Sequence, residues 1–277
     1  MRGSSEAVYK GPMTMQTHRA QLAHDDSGGP GRLVVMLPGA GDLRSEYRLI
    51  VDGLASAGNR IVTADLPGHG ESPTTSAYTV AATADAIVNL IEGVGAGPAV
   101  VVGTSFAPAA AVWAAAEHSD LIRGIVAISP HLHADRSLKG RMTGMAIKGL
   151  LRGPWAAAVW ARLYTGWYKA SPPSDLDSEV SRLRAMLADP SRRRAVRQTL
   201  TADRVGMDDR IARVEVPSLV VFGSADDHFP DPVAEARATA QMLHGEHLVV
   251  DGAGHYPHVE QPDVVAAAIR TFLDQLG

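Results

Sequence analysis

The sequence predicts an α/β fold: a mostly parallel, doubly wound sheet with a block of helices inserted into it. Three observations predict it. Six short apolar runs are each closed by Gly, Pro or Asp. These runs alternate with stretches of helical spacing, and such alternation favours parallel strands joined by crossover helices. The alternation then lapses over residues 131–205, which are rich in Trp and Tyr and show no convincing strand. The runs are continuously apolar, as strands covered on both faces must be.

The elements follow in order. Residues 1–12, opening Met1-Arg2-Gly3-Ser4, read as an appended leader outside the fold. Arg32–Leu37 (RLVVML) is the first core strand and stops at Pro38-Gly39. A helix is expected over Ser45–Ala57. Arg60–Ala64 is the next strand, closed by Asp65-Leu66-Pro67-Gly68, and Thr79–Gly93 is a helix ending on glycine. Ala99–Val102 is a strand closed by Gly103, and the Ala-rich Phe106–His118 is a helix. Gly124–Ile128 is a strand closed by Ser129-Pro130. After the insert come a strand over Ser218–Phe222, a helix over Asp231–Leu243, a strand over Glu246–Val250 and a helix over Gln261–Leu276. Asp231-Pro232 supplies an N-cap with Pro at the first helical position. The core is thus 13–130 and 206–277, and the helical insert is 131–205.

Composition narrows the function. There is no cysteine, which excludes a disulfide framework, a thiol nucleophile and thiolate metal ligation. No apolar stretch approaches the roughly 20 residues that span a bilayer, and the cytoplasm is the default compartment. A net charge of -4 gives no reason to expect a nucleic-acid partner. The insert, however, is basic, with fourteen Lys and Arg against six Asp and Glu. That charge is either a solvated helix face or a field that draws in an acidic substrate or partner.

Three loops carry residues suited to chemistry. Gly103-Thr104-Ser105-Phe106-Ala107 joins a strand to a helix by a sharp turn, close to the G-x-S-x-G elbow that exposes a nucleophilic serine. Ala107 stands where that pattern has its last Gly. Asp226 and Asp227 follow the strand at Ser218–Phe222, where a carboxylate can accept the Nδ1–H of an imidazole and fix its tautomer. His255 follows the strand at Glu246–Val250 on a glycine loop, and an imidazole there can act as base and then acid. Strand ends on one edge of a parallel sheet converge, so Ser, Asp and His in this chain order are expected to meet. A fourth loop, Pro38-Gly39-Ala40-Gly41-Asp42, can supply a backbone donor to an oxyanion. The N–H groups of Ala40 and Phe106 are the candidates. His131 and His133 follow a strand and are either site-facing or solvated. The pair His255 and His258 lacks a third ligand, and no metal is expected.

With these residues in place, the chain resembles the α/β-hydrolase superfamily from about Arg32 to its C-terminus. The marks are Leu37-Pro38-Gly39-Ala40, Asp65–Ser72 (DLPGHGES), the Ser105 elbow, Gly223-Ser224-Ala225-Asp226 with Pro230, and Gly254-His255 followed by Glu260-Gln261-Pro262. The resemblance implies that Asp226 rather than Asp227 is the acid. It makes the insert a helical lid. Its Trp155, Trp160 and Tyr164 are then candidates for an apolar substrate pocket, as are Met142, Met145 and Trp167, or else they pack the lid on the core. A serine at position 105 argues against the family members that attack through a carboxylate.

The expected activity is hydrolysis of a carboxylic ester with a small or medium apolar acyl part, through an acyl-enzyme on Ser105 and without a cofactor. The same triad would also serve C–C bond, lactone or amide hydrolysis, or perhydrolysis. A binder without turnover is the reading from another class. The expected partner is a small-molecule substrate, and a homo-oligomer is compatible with the sequence.

Overall fold

The computed structural model describes residues 21–134, 142, 145–146 and 149–277. The leader expected over residues 1–12 lies outside them. Seven strands form one sheet: β1 (His24–Asp26), β2 (Arg32–Leu37), β3 (Asn59–Ala64), β4 (Ala99–Thr104), β5 (Ile122–Ile128), β6 (Ser218–Gly223) and β7 (Glu246–Val250). Their order is β1-β3-β2-β4-β5-β6-β7. All pairs are parallel except β1 with β3. β1 is the strand that sequence reasoning missed. It is three residues long and polar (HDD), so it has no apolar signature, and it is held by ladder bonds to the edge of β3.

Alternation along β2 sorts the two faces of the sheet, because successive strand side chains point opposite ways. Leu33, Val35 and Leu37 join one buried cluster. It also takes in α2 (Val80–Val94), α3 (Ala107–Glu117) and, through Ala236 and Ala240, α8 (Pro232–Met242). Val34 and Met36 join the other cluster. There they meet Leu54 of α1 (Val51–Ser56) and Val265, Ile269, Phe272 and Leu273 of α10 (Pro262–Gln275). The helix expected over Ser45–Ala57 divides into a 3₁₀ turn at Arg44–Tyr47 and the short α1. Tyr47 is pinned under β2, its hydroxyl donating to Leu37 O and bonding Thr104 Oγ1. α2 runs past Gly93 and ends at Gly95, whose φ of 64° lets its N–H reach Ile91 O.

The insert packs as its own layer over the strand ends. It contains α4 (Ala156–Gly166), α5 (Leu176–Ala188) and α6 (Pro190–Leu200), followed by the short α7 (Met207–Ile211). Trp160, Tyr164, Tyr168, Leu183, Leu187 and Val196 form its core, and Tyr256 with Val259 of the short α9 (Pro257–Glu260) beyond β7 complete it. Part of the insert's positive charge serves this docking. Arg192 donates to Ser72 O and His69 O of the Asp65–Ser72 turn. No helix among the described residues is long and apolar enough to cross a membrane.

Candidate active site

Ser105 sits in the turn between β4 and α3 with φ at 59°, a left-handed conformation that a residue bearing a Cβ adopts only at a cost of about 1–2 kcal/mol. Two bonds to neighbouring strand ends hold it there. Ser105 N donates to Ile128 O at 2.8 Å, and His131 N donates to Ser105 O at 2.9 Å. Gly103 explains the need for small residues. A Cβ at position 103 would come within 3.0 Å of Ala107 Cβ and still closer to Pro108 N. Ala107 itself fits, so the departure from glycine at that position costs little space. Ser105 is partly exposed and its Oγ has no protein partner among the described residues.

Asp226 and His255 meet at the ends of β6 and β7. His255 Nδ1 lies 2.8 Å from Asp226 Oδ2, and both side chains are buried. Burial alone would raise the Asp226 carboxyl. The adjacent His255 and His228 imidazoles outweigh it and hold the acid well below the usual carboxylate range. An ionised carboxylate can only accept, so His255 Nδ1 carries a hydrogen and donates it to Asp226. Asp227 points the other way, to Lys169 Nζ at 2.7 Å near the surface. Adjacent residues have thus been sorted by direction, which spacing by itself does not do.

The His255 loop is tied to the insert. His255 N donates to Trp167 O at 3.1 Å. Glu260 Oε1 accepts from Gly254 N at 2.7 Å, while its Oε2 accepts from Lys169, Ala170 and Ser171 N. One buried carboxylate therefore bridges the loop bearing His255 and the chain leaving α4.

The loop after β2 comes close to Ser105; a Cβ on Gly39 would lie 3.3 Å from Ser105 Cβ. Gly39 N is used, donating to Glu46 Oε2 at 3.1 Å. The N–H groups of Ala40 and Phe106 donate to no protein acceptor among the described residues, so both are available. A buried brace lies behind this loop. Glu46 Oε1 contacts His258 Nε2 at 2.8 Å, outside hydrogen-bond alignment. Tyr256 donates its hydroxyl to Asp42 Oδ2 at 2.7 Å. Burial and the neighbouring Glu46 carboxylate push the Asp42 carboxyl well up.

The aromatic residues of the insert divide. Trp160 is buried and donates Nε1–H to Gly41 O at 3.0 Å, so it rests on the loop carrying Ala40. Tyr164 is buried between Tyr168 and Tyr256. Trp155 does not join them. Trp155 is 56% exposed at the start of α4, and Met142 and Met145 in the preceding segment are exposed as well. Trp167, by contrast, packs against His255 and His228. A groove of about 530 Å³ between α4 and α5, lined by Arg162, Asp177, Ser181 and Arg184 among others, contains no residue of this site.

Two histidines join the site that sequence reasoning did not select. His228 Nδ1 lies 2.9 Å from Asp226 Oδ1, on the carboxylate oxygen that His255 leaves free. The signal was present as a second histidine two residues after the acid. His131 stacks on Phe229 with centroids 4.7 Å apart, and its ring lies 5.8 Å from that of His255. Burial, then the His255 and His228 imidazoles, push His131 down to about 3, so it stays neutral. Arg204 donates to His131 O and covers the Phe106 ring. Asp226, His228 and His255 are the one trio among the described residues with metal-ligand spacing. Both Nδ1 atoms already face the carboxylate, so an ion would have to displace two hydrogen bonds. His258, set against Glu46, takes no part.

A mostly parallel sheet whose strand ends present a serine elbow and an acid-held histidine, under a helical lid, defines an enzyme of the serine-hydrolase type acting on small or medium organic molecules. The chain belongs to the Alpha/beta hydrolase family, whose model matches residues 34–268. It is 29% identical over 217 residues to a pimeloyl-[acyl-carrier protein] methyl ester esterase of Neisseria meningitidis serogroup B, covering 76% of this chain and 81% of that protein. Among solved structures it is similar to a thermophilic esterase from Thermogutta terrifontis, at 25% identity with a TM-score of 0.70 over 92% of this chain and 93% of that one. The fold also matches that of the enol-lactonase from Burkholderia xenovorans LB400, with a TM-score of 0.77 at 19% identity over 91% and 96% of the two chains.

Proposed function

We propose that the protein hydrolyses a carboxylic ester with a small or medium apolar acyl part, through an acyl-enzyme on Ser105. The observation that carries this reading is the Asp226–His255 pair at the same edge of the sheet as a serine held at positive φ, with the N–H groups of Ala40 and Phe106 unused. The esterase names of the relatives support the choice of bond.

In this reading Ser105 Oγ attacks the ester carbonyl while His255 Nε2 takes its proton. Ser105 Oγ has no protein partner at rest among the described residues, and in this reading its bond to Nε2 forms when substrate fills the site. Charge developing on the carbonyl oxygen is met by the N–H groups of Ala40 and Phe106, which have no protein acceptor among the described residues. Asp226 stabilises the imidazolium that forms, and His255 returns the proton to the leaving alcohol. Water, activated by the same histidine, releases the acid and restores Ser105. Trp160 and Trp167 supply apolar walls on the lid side.

The test is intact mass after treatment with a fluorophosphonate, alongside p-nitrophenyl esters of increasing chain length and a set of lactones. The expected result is a single adduct on Ser105 and turnover that is highest for short or medium acyl chains. Folded protein that forms no adduct and turns over none of the substrates would overturn the reading. So would turnover that survives in Ser105→Ala.

A further inference from the structure

We infer that His228 is a positioning residue for the proposed acyl transfer: it shares Asp226 with His255, locking the carboxylate and limiting how strongly that carboxylate can hold the His255 imidazolium. The inference rests on the serine-hydrolase reading of Ser105, Asp226 and His255 above.

The geometry is a three-membered chain. His255 Nδ1 meets Asp226 Oδ2 at 2.8 Å, and His228 Nδ1 meets Oδ1 at 2.9 Å. His228 N also donates to Oδ1, at 3.1 Å. A carboxylate can turn about its last bond, and one donor leaves that turn open. The His228 imidazole and the His228 N–H together hold Oδ1 while His255 holds Oδ2, so Oδ2 stays aimed at His255. The two imidazoles are tilted against each other, with centroids 4.0 Å apart and an interplanar angle of 41°. Charge on one ring therefore opposes charge on the other.

The groups around His228 bear on which ring takes the proton. Asp226 and Asp227 face it from its own loop, His255 from the loop after β7, and His131 from the loop after β5. Trp167 packs on it from the end of α4, and Lys169 pairs with Asp227. Burial, then His255, push the His228 imidazole below its ordinary range against the pull of the two aspartates. His228 thus serves as a neutral donor, and the chemistry needs the proton on His255. A neutral donor on Oδ1 draws electron density from the carboxylate, which weakens its hold on an imidazolium at His255. Removing that donor therefore favours protonated His255 and moves the acidic limb of the rate profile to higher pH.

The readout is the rate at which a fluorophosphonate labels Ser105, followed from pH 5 to 9. It does not depend on which bond the enzyme cleaves. We expect His228→Ala to label about tenfold more slowly at pH 7.5, the equivalent of one charge-assisted hydrogen bond, with its acidic limb displaced upward. His228→Asn, whose amide can donate to Oδ1, should recover most of the lost rate. Wild-type protein in nitrogen-15 spectra should show two downfield imidazole N–H resonances; His228→Ala should lose one and shift the other, while His228→Asn should lose one and leave the other near its wild-type position. Labelling of His228→Ala at the wild-type rate with an unmoved limb would overturn the inference. So would equal slowing in both variants with unmoved limbs, the mark of packing alone. If His228→Ala does not fold, His228→Leu, which also lacks the side-chain donor, takes its place in the spectra, and an unshifted second resonance overturns the inference. Absence of labelling in the wild type would overturn the serine-hydrolase reading itself, a result distinct from all of these.

Discussion

Asp226 and Asp227 show how much one residue's direction decides. Both are carboxylates in the same loop, yet one is buried against His255 and the other meets Lys169 near the surface. Asp226→Asn should lower kcat by about 10³–10⁴-fold, because an amide stabilises the wrong imidazole tautomer and no developing charge. Asp227→Asn should stay within about threefold of wild type, since an exposed pair contributes little. Parallel steady-state rates check both, and the reverse ranking would move the acid to Asp227. The same lesson holds for His228. It could be read as a neighbour of the acid, but nothing in the sequence says that its ring folds back onto the carboxylate.

At the scale of elements, the loop after β2 carries the strictest demand. Gly41 has φ at 90°, and a Cβ there would run into the Trp160 ring. Trp160 cannot withdraw freely, because its indole N–H is bonded to Gly41 O and its ring is buried in the insert. Gly41→Ala should therefore cost about 2–4 kcal/mol from strain and overpacking together. The displaced loop also moves Ala40, so activity should fall more than the remaining folded fraction explains. Urea unfolding and kcat on the same preparation separate the two effects. Wild-type stability in Gly41→Ala would show that α4 does not clamp this loop.

For the whole molecule, buried histidines set the response to acid. Burial pushes His69 down to about 4, His131 is held down to about 3, and His228 also lies below its ordinary range. An unfolded chain protonates these rings below pH about 6.5, while the fold resists until much lower. The unfolded state therefore binds more protons as pH falls, and stability that is full above pH about 6.5 is lost toward pH 4. His69, fully buried, alone contributes about 3 kcal/mol to this loss. Asp226, held below the usual carboxylate range, adds a further loss below pH about 4. Urea midpoints measured from pH 8 to 4.5 should fall steadily below pH 6.5, and His69→Gln should flatten the slope. A flat profile down to pH 5 would mean that these rings protonate within the fold.

The sequence by itself determined the sheet and the order of its parts. Continuous apolar runs bounded by turn residues suit strands covered on both faces, and β2 to β7 fall where Arg32–Leu37, Arg60–Ala64, Ala99–Val102, Gly124–Ile128, Ser218–Phe222 and Glu246–Val250 were read, to within two residues. Parallel topology then brings Ser105, Asp226 and His255 to one edge, since each follows a strand directly. Tertiary structure alone decided what spacing does not encode. The β1 strand exists only through its bonds to β3, Trp155 turns outward while Trp160 lies on Gly41, and one carboxylate receives two histidines. Local periodicity and turn chemistry record what a segment becomes; the direction of a side chain within a loop is set by whichever neighbour the fold delivers to it.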